Sequence, residues 1–178
     1  VKTVIAASMV GTAIEFYDFY AYGTAAANYF PKVFFGDTTN PTVALLASLL
    51  TFAIAFIARP LGSLVFGHFG DRMGRKTTLV VSLLTMGIAT FLIGCLPSYS
   101  VIGVGAPILL LLLRMVQGFS ASGEYAGAAT FLGEYAPTSK RGIYCSLIPA
   151  STAIGLLAGS TLATVMTASL SSDALTSW

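Results

Sequence analysis

Five stretches of this chain, 3–30, 42–66, 78–96, 107–133 and 143–170, are long and apolar enough to cross a membrane as single helices. A crossing takes roughly 20 mostly apolar residues. Only short polar segments separate the five runs. Lipid offers the backbone no hydrogen bonds, so each spanning segment must satisfy its own. The expected fold is therefore an all-α, polytopic membrane helix bundle, one transmembrane domain over residues 1–178. Composition points the same way. Hydrophobic residues make up 56% and charged residues 9%, against about 25% charge in a soluble domain. The lipid bilayer is thus the first expected partner. The net charge of +2 is small, its basic residues sit at helix ends, and no nucleic acid partner is expected.

The first run is too long for a cleaved signal peptide and contains two carboxylates, so no such peptide is expected. The loops set the orientation. With the N-terminus inside, the inner segments hold Lys2, Arg72, Arg75, Lys76, Lys140 and Arg141, and the outer ones only Lys32. Basic loops stay cytoplasmic, so the N-terminus is expected in the cytoplasm. Cys95 and Cys145 then fall near opposite membrane faces, and no disulfide between them is expected.

Charges inside the spans are expensive in lipid and mark function by default. Gly11, Glu15, Asp18 and Tyr22 form one stripe of the first span. Arg114, Gln117, Ala121 and Glu124 form one stripe of the fourth, and Arg59 lies inside the second, before Pro60. Counting about 1.5 Å per residue, Glu15 falls near mid-membrane and Asp18 slightly outward. Arg114 is level with Asp18, and Arg59 and Glu124 lie in the inner half. Two pairings are open: Arg114 with Asp18 or Glu15, and Arg59 with Glu124. The two stripes are expected to face a shared polar cavity. One reading makes these pairs static locks on helix packing. The other makes one carboxylate a proton carrier and an arginine the holder of an anionic solute group. Burial favours the neutral carboxyl and a nearby arginine the ionised one, so a solute competing for the arginine would alter proton affinity.

Between the second and third runs stands Gly67-His68-Phe69-Gly70-Asp71-Arg72-Met73-Gly74-Arg75-Lys76. Its cations favour the side of anionic lipid. Gly67 would allow close helix packing, and Gly74 a tight turn. Asp71 could cap a helix N-terminus or pair with Arg75. His68 reads as a polar spacer. No metal-ligand spacing, nucleotide-binding loop or nucleophile constellation occurs, so neither a cofactor, a metal nor an enzyme is expected.

The pattern G-x-x-x-D-R-x-G-R-K resembles the loop signature of the major facilitator superfamily at every fixed position. In that superfamily the aspartate and arginine latch the cytoplasmic gate. The resemblance carries this role to Gly67, Asp71, Arg72, Gly74, Arg75 and Lys76, with Glu134 and Arg141 at the same level. Gly11-Thr12-Ala13-Ile14-Glu15-Phe16-Tyr17-Asp18-Phe19-Tyr20, Phe56-Ile57-Ala58-Arg59-Pro60-Leu61-Gly62 and Arg114-Met115-Val116-Gln117-Gly118 with Gly123-Glu124 resemble the metabolite:proton symporter family. That family includes shikimate, α-ketoglutarate and proline/betaine permeases. The resemblance implies proton-coupled symport of a small organic solute, an organic acid or zwitterion, by alternating access in the cell (inner) membrane. It implies a substrate and proton pathway of Glu15, Asp18, Tyr22, Arg59, Arg114, Gln117 and Glu124. It also implies that the five spans are the N-terminal part of a longer protein, whose missing C-terminal helices complete the fold. Ser122-Gly123-Glu124-Tyr125 departs from the Gly-Gly-Glu-Trp frequent in members, which bears on substrate preference. The fifth span lacks the Gly-Pro-x-x-Gly-Gly run of antiporters. The alternatives are a sugar-type facilitator or drug exporter of the same superfamily, or a fragment that does not transport.

Overall fold

The computed structural model describes residues 2–36 and 40–171. The side chains of Lys2, Arg75 and Glu124 lie outside what it describes, as do residues 37–39 of the first polar loop and 172–178 of the polar tail. The helices are α1 (Lys2–Asn28), α2 (Phe30–Phe35), α3 (Pro41–Met73), α4 (Arg75–Gly94), α5 (Tyr99–Ile102), α6 (Gly105–Tyr135) and α7 (Arg141–Ser169), with a 3-10 turn at Thr138–Lys140. No strand occurs among the described residues. By length and composition α3, α4, α6 and α7 can each cross a membrane. α1 has the length, at 27 residues, but Glu15, Asp18 and its tyrosines keep it less apolar than the other four.

Local chemistry explains where α3 begins and ends. Asn40 caps it, its side-chain oxygen accepting from the Thr42 N–H at 2.9 Å, and Pro41 takes the first helical position. It then runs for 33 residues, about 50 Å at 1.5 Å per residue. That exceeds a hydrocarbon core of about 30 Å, so the helix carries its far end clear of the lipid. Residues 67–73, read from the sequence as a loop, are the last turns of α3. The chain breaks only at Gly74, whose φ of +94° favours glycine, and α4 starts at the next residue.

The bundle is apolar outside and polar within. Leu64, Phe91 and Leu157 are each at least two-thirds exposed, as lipid-facing side chains should be, while Ser48, Thr51, Ser82, Gln117, Ser120 and Ser151 are buried. Lipid cannot drive helices together by hydrophobic burial, so close packing at small residues does that work. α3 packs chiefly on α6, α4 also on α6, and α1 chiefly on α7. α3 buries Ala44, Ser48, Thr51, Ala55, Ala58 and Gly62, a stripe of small residues. A side chain at Gly118 would run into the Ala55 backbone, one at Gly62 into the Phe119 carbonyl, and one at Gly155 into the Ala13 carbonyl. Gly123 lies close against Phe66. Gly67, by contrast, has no neighbour within 4 Å of where a Cβ would stand, so it creates no close helix contact among the described residues. Where α1 ends and α6 begins, an apolar cluster including Phe30, Phe34, Ile93 and Leu110 closes the bundle.

Candidate functional site

Two layers of charge cross the middle of the bundle, both starting on α1. The helix puts Glu15 and Asp18 on the face that also buries Ser8, Thr12 and Tyr22. In the first layer the Arg59 Nη2 of α3 donates to Glu15 Oε1 at 3.0 Å. Glu15 is 3% exposed. The Arg59 guanidinium lies 5.7 Å from the Phe19 ring centre and 5.4 Å from that of Phe56, within cation–π range. The sequence allowed Arg59 to pair with Glu124. The structure gives it Glu15 of α1; the expected pairing with Glu124 falls on a side chain outside the described residues.

In the second layer Gln117 of α6 is the bridge. Its amide oxygen accepts from Arg114 Nη1 at 2.7 Å. Arginine can only donate, which fixes the way the amide faces. The amide nitrogen then donates to Asp18 Oδ2 at 2.8 Å and to Thr90 Oγ1 at 2.6 Å. Arg114 and Asp18 also face each other directly at 3.6 Å, an ion pair too long for a hydrogen bond. The Arg114 guanidinium stacks 3.9 Å above the Tyr22 ring centre. Tyr22 in turn bonds Thr51 at 2.8 Å, and Thr51 gives its own proton to the Ser48 carbonyl at 2.6 Å. Tyr22 is therefore the donor to Thr51.

The two stripes meet through hydrogen bonds rather than across a wide cavity. A cavity of about 10 Å³ lies among Glu15, Asp18, Arg59, Met86, Arg114 and Gln117. A larger one of about 230 Å³ opens beside Glu15 and Arg59, with Phe16, Ala121, Ser122 and Tyr125 on its walls. Sequence reading missed Thr90 and Thr51. The signal for Thr51 was its place in the small-residue stripe of α3. α4 carries no charge after its first turn, so nothing singled out Thr90.

The basic motif lies apart from this network. Asp71 and Arg72 are exposed in the last turn of α3. Asp71 is not the cap of α4; Gly74 holds that position, with no side-chain cap. The expected cap fails because α3 continues through Asp71 instead of ending before it. Asp71, Gly67 and Gly70 line a cavity of about 250 Å³ with Ser63, Thr78 and Gly127. Glu134 and Arg141 stand at the end of α6 and the start of α7, both exposed. Cys95 and Cys145 are free thiols.

A polar, doubly ion-paired centre inside an apolar-surfaced bundle is the build of a membrane carrier domain. The family model for "Sugar (and other) transporter" matches residues 3–177. The chain belongs to this family of the major facilitator superfamily and is a multi-pass membrane protein. It is similar to the inner membrane metabolite transport protein YhjE of Escherichia coli K12, 58% identical over 85% of this chain and 34% of the relative. The shikimate transporter of the same organism is 43% identical over 96% of this chain and 39% of its own length. The proline/betaine transporter of Salmonella typhimurium LT2 is 41% identical over 99% of this chain and 35% of its own length. The chain thus spans little more than a third of the relatives it matches. No solved structure matches it.

Proposed function

We propose that this chain forms the site-bearing domain of a proton-coupled symporter for a small organic solute, working by alternating access in the inner membrane. The observation that carries the reading is the pair of layers, Glu15–Arg59 and Asp18–Gln117–Arg114, in which Glu15, Gln117 and Arg114 are buried. Charges at such a depth cost several kcal/mol each when unpaired, and they are retained where they act. Here they cross between α1 and the helices α3, α4 and α6. Anything that neutralises a carboxylate or takes an arginine loosens that junction. A proton does the first and an anionic solute group the second, which couples the two. The relatives named are metabolite, shikimate and proline/betaine transport proteins, which supports an organic acid or zwitterion. Their length supports further helices completing the carrier. Transport, not catalysis, is the activity proposed.

The test is uptake by the complete carrier in vesicles, across a panel of organic acids and zwitterions at two external pH values. We expect at least one solute to accumulate faster at the lower pH and to draw protons in with it. Equal uptake at both pH values for every transported solute would overturn the proton coupling. The orientation we propose places the N-terminus in the cytoplasm. With Cys95 and Cys145 replaced by serine, Ser100→Cys should react with an impermeant thiol reagent applied outside. Met73→Cys, 59% exposed at the end of α3, should react only after permeabilisation. The reverse pattern would invert the topology.

A further inference from the structure

The small cavity between the two charged layers has a feature that neither ion pair explains. Its volume is about 10 Å³, and its walls include Glu15, Asp18, Arg59, Arg114 and Gln117. Among the described residues, five buried side-chain polar atoms have no hydrogen-bond partner: Ser8 Oγ, Thr12 Oγ1, Glu15 Oε2, Arg59 Nε and Arg114 Nε. Three of the five belong to side chains lining this one cavity. A buried polar atom left unmatched costs about 1–3 kcal/mol, more if charged. Natural interiors rarely leave such atoms unmatched.

The space and the chemistry match one molecule. A single water needs roughly 10–15 Å³ measured this way, and two to four polar partners. The arginine Nε–H groups can only donate and the carboxylate oxygen can accept, so a water would accept from one arginine, donate to Glu15, and keep its second lone pair for a protonated Asp18. The groups around the cavity are Glu15 and Asp18 from α1, Arg59 from α3 and Arg114 from α6. α4 contributes only neutral neighbours, Met86 on the wall and Thr90 beyond Gln117. No solute of organic size fits.

We infer that this cavity is a site for one water molecule, and that the water joins Glu15 and Asp18 into a single proton-sharing unit. The inference rests on the proton-coupled reading above and adds a path to it. A protonated Asp18 gives its proton to the water as the water gives another to Glu15. The O–H bond on Asp18 breaks, one forms on Glu15, and the water is regenerated. No net charge is created. Glu15 lies one turn of α1 inward of Asp18, so with the N-terminus in the cytoplasm the transfer moves the proton inward. One arginine, Arg59 or Arg114, holds the water's oxygen through one lone pair and is the positioning residue for this step; the second lone pair receives the Asp18 proton.

The test combines spectroscopy with transport, on the complete carrier. Infrared difference spectra between high and low pH should contain an O–H stretch of a strongly bonded water that shifts in oxygen-18 water. Its absence from the wild type overturns the site. Met86→Phe pushes a ring toward the cavity from α4 and should remove that band. It should abolish pH-driven accumulation while exchange of labelled for unlabelled solute continues. Met86→Ala widens the cavity and should keep both the band and the accumulation. If Met86→Phe does not reach the membrane, Ala121→Val fills the same space from α6. A folded filler that loses the band yet accumulates solute normally overturns the relay. Wild-type carrier that never responds to a pH gradient would instead overturn the proton-coupled reading beneath it.

Discussion

Solute accumulation driven by a pH gradient should vanish in at least one of Glu15→Gln and Asp18→Asn, measured in vesicles with the complete carrier. The inside-to-outside ratio should fall to about one, since a carrier that no longer binds the proton can only equilibrate its solute. Exchange of labelled for unlabelled solute should survive, because exchange need not move the proton. Both substitutions keep the shape of the side chain and leave Arg59 or Gln117 an amide oxygen to bond. Arg114→Lys should fail in both assays. The guanidinium lies 3.9 Å over Tyr22 and donates to Gln117, and an ammonium cannot copy a planar fork that stacks and binds in pairs. Losing one charge-assisted bond of about 2–3 kcal/mol corresponds to about a 30- to 150-fold loss of solute affinity. If both carboxylate variants still accumulate solute, the proton site is elsewhere. Glu124 would be the next carboxylate to test, as the remaining one in the membrane-spanning part of α6.

Asp71→Asn should leave the complete carrier in the membrane and reduce uptake to about a tenth or less, since a latch of about 1.4 kcal/mol shifts a two-state ratio tenfold. The substitution keeps size and removes charge. Asp71 is exposed in the last turn of α3 and sits on the wall of the 250 Å³ cavity between α3, α4 and α6. A carboxylate at a helix C-terminus is unfavourable toward its own helix dipole, so local helix stability gives no reason to place one there. Uptake and surface expression, measured together, decide it: normal uptake at normal expression would leave the motif a helix end and nothing more.

Much of this was legible before any coordinates. Five apolar runs imply five long helices, because lipid leaves the backbone no other partner. Glu15, Asp18, Arg59, Arg114 and Gln117 stood out because charged or amide groups are rare inside spans, and the helical period placed Glu15 with Asp18 and Arg114 with Gln117. The Gly74 turn was legible from the same chemistry. The end of the second span was not. Residues 67–73 bring in His68, Asp71 and Arg72, and polarity marks the end of the membrane but not the end of a helix. α3 keeps its backbone bonds into water, so the motif became helix and Asp71 lost its capping position.

What the sequence determined by itself is the inventory: an all-helical membrane bundle, two carboxylates on one face of α1, Arg114 level with Asp18, and Arg59 further inward. Helical spacing and the cost of charge in lipid suffice for that. Which arginine meets which carboxylate was decided only by the tertiary structure. Gly62 and Gly118 let α3 and α6 approach to backbone contact, and that approach sets Arg59 against Glu15 and Gln117 between Arg114, Asp18 and Thr90. Partner choice across helices depends on rotation and separation of whole helices, a few ångströms either way. Those are settled by the fit of small side chains from different parts of the chain, which no local stretch of sequence encodes.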